Sequence, residues 1–236
     1  MITEDREIEL GGERLDYRLK RSERKTLGIS VTTDGELIVT APEEAEQERI
    51  DEKLQRRAAW ILDKLDLVSH LPPAIPARQF VAGETHLFLG RQYRLKVDKD
   101  QLGTERRGGR IIVGGVPADE PARIRNRLHR WYQREAVTVF GDRLGSCWKK
   151  TQKTSPRPKL KISSMERRWG SYLRNSHSVM LNYQLVQAPI PLIDYVITHE
   201  LCHIDHGDHG PAFLAGLNRM MPDWERRKLR LEAFFS

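Results

Sequence analysis

Two histidines and a glutamate lie close together in the segment His199-Glu200-Leu201-Cys202-His203. Residues i and i+4 share one face of an α-helix, so both imidazoles can bind the same cation if the segment is helical. Glu200 directly follows the first histidine and would then project towards a water molecule beside that cation. This spacing is typical of zinc hydrolases in which the glutamate acts as general base.

A catalytic zinc ion usually takes three protein ligands and keeps one position open. His209 is the preferred third ligand, because Gly207 and Gly210 flank it and allow the chain to leave the helix and fold back. One zinc ion per chain, held by His199, His203 and His209, is therefore the expected cofactor. The competing candidates for the third position are His206, Asp205, Asp208 and Glu225.

A longer pattern surrounds this motif. It consists of Arg168-Trp169-Gly170-Ser171, then Met180-Leu181-Asn182-Tyr183 and Leu185, Ala188-Pro189, Asp194-Tyr195-Val196, the histidine segment and Phe213. The pattern resembles the YgjP-like metallopeptidase family, a bacterial and archaeal group of zincin-like proteins, most strongly over residues 159–231. The resemblance implies a zincin-like catalytic half with the same three histidines as metal ligands. Tyr172 stands where the family often has cysteine.

Three residues are candidates for substrate binding. Residues 178–185 alternate as a strand does, and in zincins a strand beside the active-site helix commonly pairs with an extended substrate. Asn182 and Tyr183 are therefore expected to line the cleft, with ordinary sheet positions as the open alternative. Arg168 could bind a carboxylate or phosphate, or form a structural ion pair. The candidate acceptors for the imidazole N–H groups are Asp194, Asp205 and Asp208.

The expected reaction is hydrolysis by metal-activated water with Glu200 as general base. A peptide is the first substrate hypothesis, because of the zincin geometry and the family resemblance. The second is a nucleoside triphosphate, cleaved by a metal-dependent pyrophosphatase or phosphohydrolase, because the net charge is +7 and paired arginines could clamp an anion. Mg²⁺ or Mn²⁺ could then accompany or replace zinc. A third hypothesis is a nucleic-acid-associated zinc protein, although no recognised nucleic-acid-binding motif is present.

The elements that would position these residues follow from hydrophobic periodicity. Strand-like alternation covers residues 14–20, and a hairpin is predicted over 27–40. A helical pattern over 43–70 and a proline-containing loop over 71–78 come next. Further strands and turns are predicted over 84–113.

A long amphipathic helix is predicted over residues 119–148. Short strands over 159–163 and 178–185 follow, and helices over 191–206 and 211–235 end the chain. Together these elements predict an α+β fold. Residues 1–118 would form a β-rich N-terminal region with one helix. Residues 119–236 would form a zincin-like, mostly helical catalytic domain with a small antiparallel sheet.

Composition narrows the class of protein further. No apolar run approaches the about 18 residues that a membrane-spanning helix needs. The N-terminus lacks the basic start and apolar centre of a secretory signal. The two cysteines, Cys147 and Cys202, are too few for a disulfide framework. We therefore expect a cytoplasmic protein that does not act at a membrane, with its oligomeric state left open.

Overall fold

The structure, a computed structural model, describes residues 3–32, 34–69 and 78–235. This part of the chain contains six α-helices and three small sheets, which confirms the predicted α+β fold. Strands dominate its N-terminal portion and helices the remainder.

Contacts divide the chain into two compact units. One consists of Met1–Ile75 with Glu232–Ser236, and the other of Pro76–Leu231. The division groups residues 76–118 with the helical half, whereas the sequence suggests a boundary after residue 118. The extent of an independently folding catalytic domain stays a prediction.

Four strands form the sheet of the first unit: β1 (Thr3–Leu10), β2 (Glu13–Ser22), β3 (Gly28–Val31) and β4 (Leu37–Pro42). Their order is β1-β2-β4-β3, with β2 and β4 parallel and the other neighbours antiparallel. The predicted hairpin is the β3–β4 pair, and Thr33 in its turn lies outside the described residues.

The helical pattern over residues 43–70 forms two helices, α1 (Gln47–Arg56) and α2 (Ala58–Ser69), rather than one. Arg57 separates them, because its backbone (φ −108°, ψ 9°) departs from helical geometry. The apolar spacing continues through this break, so the sequence pattern did not reveal it. The loop predicted over 71–78 lies outside the described residues except for Arg78.

The second unit begins with a sheet of four strands: β5 (Thr85–Phe88), β6 (Arg91–Asp98), β7 (Thr104–Arg107) and β8 (Arg110–Gly114). Their order is β5-β6-β8-β7, and only β6 and β8 are parallel. Strand β7 lies where a turn was predicted, because its residues are polar and lack an alternating apolar face. Helix α3 (Pro121–Lys150) follows.

A third sheet contains β9 (Lys159–Ser163), β10 (Gly170–Leu173) and β11 (Ser178–Asn182), in the order β10-β11-β9. The expectation of an antiparallel sheet was wrong in one respect: β10 runs antiparallel to β11, but β9 runs parallel to it. The sheet is mixed because the connection after β9 places β10 on the side of β11 opposite β9, and a short 3₁₀ turn then leads from β10 into β11.

Three helices complete the second unit: α4 (Ile190–Cys202), α5 (Pro211–Met220) and α6 (Trp224–Phe234). Helix α4 is buried on most of its surface and packs against α3, β10 and β11. It ends before the residue predicted, so His203 already lies in the turn that follows. Among the described residues, no helix is long and apolar enough to cross a membrane.

The turn between β5 and β6 holds the start of α4 in place. The N–H groups of Leu89 and Gly90 donate to the carbonyls of Val186 and Gln187, at 2.9 and 2.8 Å. Gly90 has φ +76°, and a Cβ atom there would lie 2.6 Å from Cγ of Pro189. Only glycine fits this close approach, which anchors the second sheet to the segment that leads into the metal-motif helix.

Candidate metal centre

Three histidines converge where α4 ends. His199 lies in its last turn, His203 directly follows it, and His209 lies in the loop before α5. One nitrogen from each ring lies within 4.8 Å of the others, and the Nε2 atoms of His199 and His209 are 3.0 Å apart. The residues predicted as metal ligands are therefore brought together, close enough to share one ion.

The loop that returns His209 to the helix is shaped by local hydrogen bonds. The N–H group of His206 donates to the carbonyl of Cys202 at 3.2 Å, which extends the turn beyond α4. The carboxylate of Asp208 accepts the N–H group of Gly210 at 3.0 Å, a side-chain turn that tightens the loop. Pro211 then begins α5, where its fixed φ and missing N–H suit the first helical position.

The imidazoles are oriented by two neighbours. Nδ1 of His203 lies 3.1 Å from the carbonyl oxygen of His206, so the Nδ1–H tautomer donates there and leaves Nε2 for a metal. The ring of Phe213, which is 1% exposed, contacts all three imidazoles at centroid distances of 4.9, 4.7 and 4.7 Å. An apolar ring beneath the triad limits the rotation of its ligands.

The donor set fits a zinc ion. Burial lowers the pKa of His199 to about 4, and the neighbouring imidazoles of His203 and His209 act in the same direction. Burial also lowers the pKa of His203. Neutral imidazole is the form that binds metals, and zinc is commonly held by three nitrogen ligands in catalytic sites.

Glu200 lies beside the triad as a buried carboxyl group, only 6% exposed. Burial raises its pKa to about 7, opposed by a hydrogen bond from the backbone N–H of Tyr172 and by the positive charge of Arg168. A carboxyl group with a pKa near neutrality can both accept and release a proton at physiological pH, as a general base requires.

The comparisons with known proteins identify a family for most of the chain. The family described as YgjP-like, metallopeptidase domain, matches residues 25–234, which is most of the sequence. The chain belongs to the YgjP-like metallopeptidase family. The predicted family is thus confirmed, and the protein is a metal-dependent hydrolase. The YgjP-like match includes much of the first unit and ends just beyond the second.

Solved structures similar to this YgjP-like chain include two archaeal proteins. One is the metallopeptidase zymogen abylysin of Pyrococcus abyssi, with 16% identity, a TM-score of 0.36, and coverage of 39% of this chain and 90% of that one. The other is the metallopeptidase zymogen jannalysin of Methanocaldococcus jannaschii, with 20% identity, a TM-score of 0.35, and coverage of 39% and 92%. No curated protein sequence matches the chain significantly.

In this YgjP-like metallopeptidase, Gly170 of β10 packs directly on the carboxyl group of Glu200. A Cβ atom at Gly170 would lie 2.8 Å from both Cγ and Oε1 of Glu200, and 2.9 Å from Cγ1 of Val196. Residue 170 belongs to the Trp-Gly-Ser pattern of the family resemblance, but the sequence did not reveal why glycine is there. The structure supplies the reason, since any side chain would displace the carboxyl group.

We expect Gly170→Ala to lower kcat by about tenfold or more while metal content stays stoichiometric. The added methyl group must displace Glu200, and small misplacements of a catalytic group are costly in rate. Steady-state kinetics and elemental analysis of the same samples would measure both quantities. Gly141→Ala is a matched control, because the new methyl group would meet nothing within 4 Å. Unchanged kcat in Gly170→Ala would contradict this role of the strand.

The aspartates proposed as acceptors for the imidazole N–H groups have other partners in the YgjP-like structure. Asp194 receives two hydrogen bonds from Arg143 of α3, at 2.8 and 2.6 Å, so it joins α3 to the metal-motif helix. Asp205 pairs with Lys153, and Asp208 shapes the histidine loop. For His203, the recorded acceptor is a backbone carbonyl, which sequence patterns do not mark.

The substrate-binding predictions have mixed outcomes. Strand β11 is the middle strand of its sheet, so both its edges are already paired and it cannot add a substrate strand. The side-chain amide of Asn182, 2% exposed, donates to the carbonyl of Met165, and the hydroxyl of Tyr183, 4% exposed, lies 3.3 Å from Nδ1 of His129. Both side chains are therefore engaged in contacts inside the fold. Arg168 is exposed, and its positive charge lowers the pKa of Glu200.

The competing metal ligands do not join the triad. The carbonyl oxygen of His206 accepts from His203, whereas its ring packs towards Gly216 and Phe213. Glu225 is exposed in the first turn of α6. Within the described residues, the group of side chains able to hold one ion contains only the three predicted histidines.

Proposed function

We propose that this chain is a zinc-dependent peptidase in which His199, His203 and His209 hold the metal and Glu200 is the general base. The observation that carries this proposal is the convergence of three imidazole nitrogens within 4.8 Å. A buried carboxyl group follows the first of these residues directly in the sequence. The family membership supports a peptide as the substrate.

When bound, the zinc ion would act as a Lewis acid that acidifies water and polarises the substrate carbonyl. Glu200 accepts a proton as the water oxygen attacks the peptide carbonyl carbon. The C–N bond of the peptide then breaks, and Glu200 returns the proton to the departing amine. Its burial suits both steps, because a pKa of about 7 allows uptake and release of the proton near neutral pH.

The edge of β10 that does not pair with β11 is the proposed binding place for an extended peptide, in place of β11. Strand β10 is an edge strand in its sheet, and its Gly170 and Tyr172 both contact Glu200. A peptide strand added to this edge would gain backbone hydrogen bonds close to the general base.

Three positively charged side chains lower pKa values at this site. Arg168 lowers the pKa of Glu200, Arg174 that of His203 and Lys228 that of His199. All three are exposed, and such surroundings favour substrates with negative charge. We therefore expect peptides with acidic side chains near the cleaved bond to be preferred. The same cations suit a nucleoside triphosphate, which remains the second candidate substrate.

A metal-exchange experiment tests the proposal. Chelation should abolish cleavage of a peptide library, and zinc should restore it better than Mg²⁺ or Mn²⁺. Mass spectrometry of the products identifies the cleaved bonds, and a parallel assay measures phosphate and pyrophosphate release from nucleoside triphosphates. Phosphate or pyrophosphate release without peptide cleavage would favour the second candidate. If the protein bound no zinc after incubation with excess zinc, the metal assignment would be overturned.

A further inference from the structure

A cleft of about 680 Å³ lies in the first unit, and none of the residues along its walls belongs to the metal centre. Its walls are the end of the β2–β3 connection, the segment after β4, and α1. Glu44 is the one carboxylate among the residues recorded along its walls. The positively charged residues along the same walls are Lys25, Arg49, Lys53, Arg56 and Arg57, which we call the basic pocket.

The walls of the basic pocket are held in place by hydrogen bonds from cationic side chains. The guanidinium group of Arg21 donates to the carbonyls of Glu43 and Ala45, both at 2.9 Å, and so fixes the segment after β4. The ammonium group of Lys53 donates to the carbonyl of Leu27 at 2.6 Å and fixes the opposite wall. The cleft is thus a shaped site that a ligand would find already formed.

Helix α1 carries several positive charges close together on one face. Arg49, Lys53 and Arg56 recur at helical spacing on one face, beside the face that buries Ile50 and Leu54. Like charges at i and i+4, such as Arg49 and Lys53, destabilise a helix by a few tenths of a kcal/mol, and an anion bound between them would relieve that cost.

These cations also lack the carboxylate partners that other basic residues of the unit have. Arg6 pairs with Glu4 at 2.6 Å and Arg18 with Glu36 at 3.1 Å. In the part of the chain that the structure describes, no carboxylate within 4.0 Å is recorded for any cation of the basic pocket. Unpaired positive charge in a concave site concentrates anions there.

We propose that the basic pocket binds phosphate groups, either of a nucleoside triphosphate or of a nucleic-acid strand. The three arginines favour phosphate, because each guanidinium can donate two parallel hydrogen bonds to the oxygens of a phosphate group. Several adjacent cations match a ligand with several adjacent negative charges, which phosphate chains and nucleic-acid strands supply. The proposal is independent of the peptidase function, since it concerns a different unit and predicts binding rather than hydrolysis.

Binding of a fluorescently labelled single-stranded DNA oligonucleotide and of ATP to the full chain tests this proposal. Anisotropy measures the first ligand and calorimetry the second, so the two arms identify the source of the phosphate. In the triple variant Arg49→Gln/Arg56→Gln/Arg57→Gln we expect affinity for the bound ligand to fall at least about tenfold. If DNA binds, the slope of log affinity against log salt should fall by about two, because each single-strand phosphate contact contributes roughly 0.7.

A matched control removes the same charge from exposed arginines of the second unit, Arg91→Gln/Arg110→Gln/Arg130→Gln. It should change affinity less than about twofold. The lysine triple Arg49→Lys/Arg56→Lys/Arg57→Lys should recover only part of the affinity, because it keeps the charge but loses the paired hydrogen bonds. Circular dichroism checks that every variant is folded. Equal weakening in the control, or no binding of either ligand to the unaltered chain, would overturn the proposal. Binding of polyglutamate in place of both phosphate ligands would overturn it too.

Discussion

Glu200→Gln should retain its metal, and its kcat for peptide hydrolysis should fall by about 10³-fold. A fall of this size is typical for the loss of a general base. The amide cannot accept the proton of the attacking water, yet its oxygen can still accept the N–H group of Tyr172. The volume of the buried side chain is also preserved, so the packing of Gly170 on it should persist. Kinetics on metal-replete protein, with zinc content measured in the same samples, separates lost chemistry from lost metal.

Glu225→Gln is the matched control for this experiment. It makes the same chemical change at an exposed glutamate that sequence reasoning had considered as a metal ligand. We expect its kcat and its zinc content to equal those of the unaltered chain. Full activity in pure, zinc-loaded Glu200→Gln would remove the general-base assignment while leaving the metal site intact.

His209→Ala should weaken zinc binding by more than about 100-fold and abolish hydrolysis. Outer partners of metal ligands are already worth 10- to 100-fold in affinity, and loss of a direct ligand should cost more. His209 is exposed and lies in a loop, so its removal should leave the core and the thermal stability of the metal-free protein unchanged. Competition titration with a zinc indicator measures the affinity, and differential scanning calorimetry measures the stability.

His206→Ala provides the comparison. This histidine was the nearest rival of His209 in sequence, but the structure uses only its backbone carbonyl at the site, as acceptor for His203. Alanine keeps that carbonyl, so zinc affinity should change by less than about tenfold. If His206→Ala lost the metal and His209→Ala kept it, the identity of the third ligand would have to be reversed.

The three histidines that the sequence predicts as metal ligands lie together in the structure, because their arrangement is mostly local. His199 and His203 lie one helical turn apart, and the spacing alone puts both rings on one face. The glycines around His209 indicated a turn, and the structure contains one. The α+β class followed from runs of strand and helix periodicity, each contained within a few tens of residues.

Hydrophobic periodicity did not predict features that are absent from the local apolar pattern or that depend on distant segments. The break at Arg57 interrupts an apolar spacing that continues through it, and β7 carries no alternating face. The sequence showed that residues 178–185 include a strand but not that β11 lies in the middle of its sheet. Asn182 and Tyr183 were consequently expected in the cleft, but both are buried, Asn182 in the middle strand and Tyr183 in the 3₁₀ turn that follows it.

The sequence by itself determined which residues could bind a metal and move a proton, and to which family the chain belongs. Tertiary structure alone decided that Gly170 presses on Glu200 and that Arg143 joins α3 to α4 through Asp194. Each of these contacts depends on strand order or on helix packing. Such long-range pairings are selected by burial and hydrogen bonding across the whole fold, and local residue patterns do not encode them.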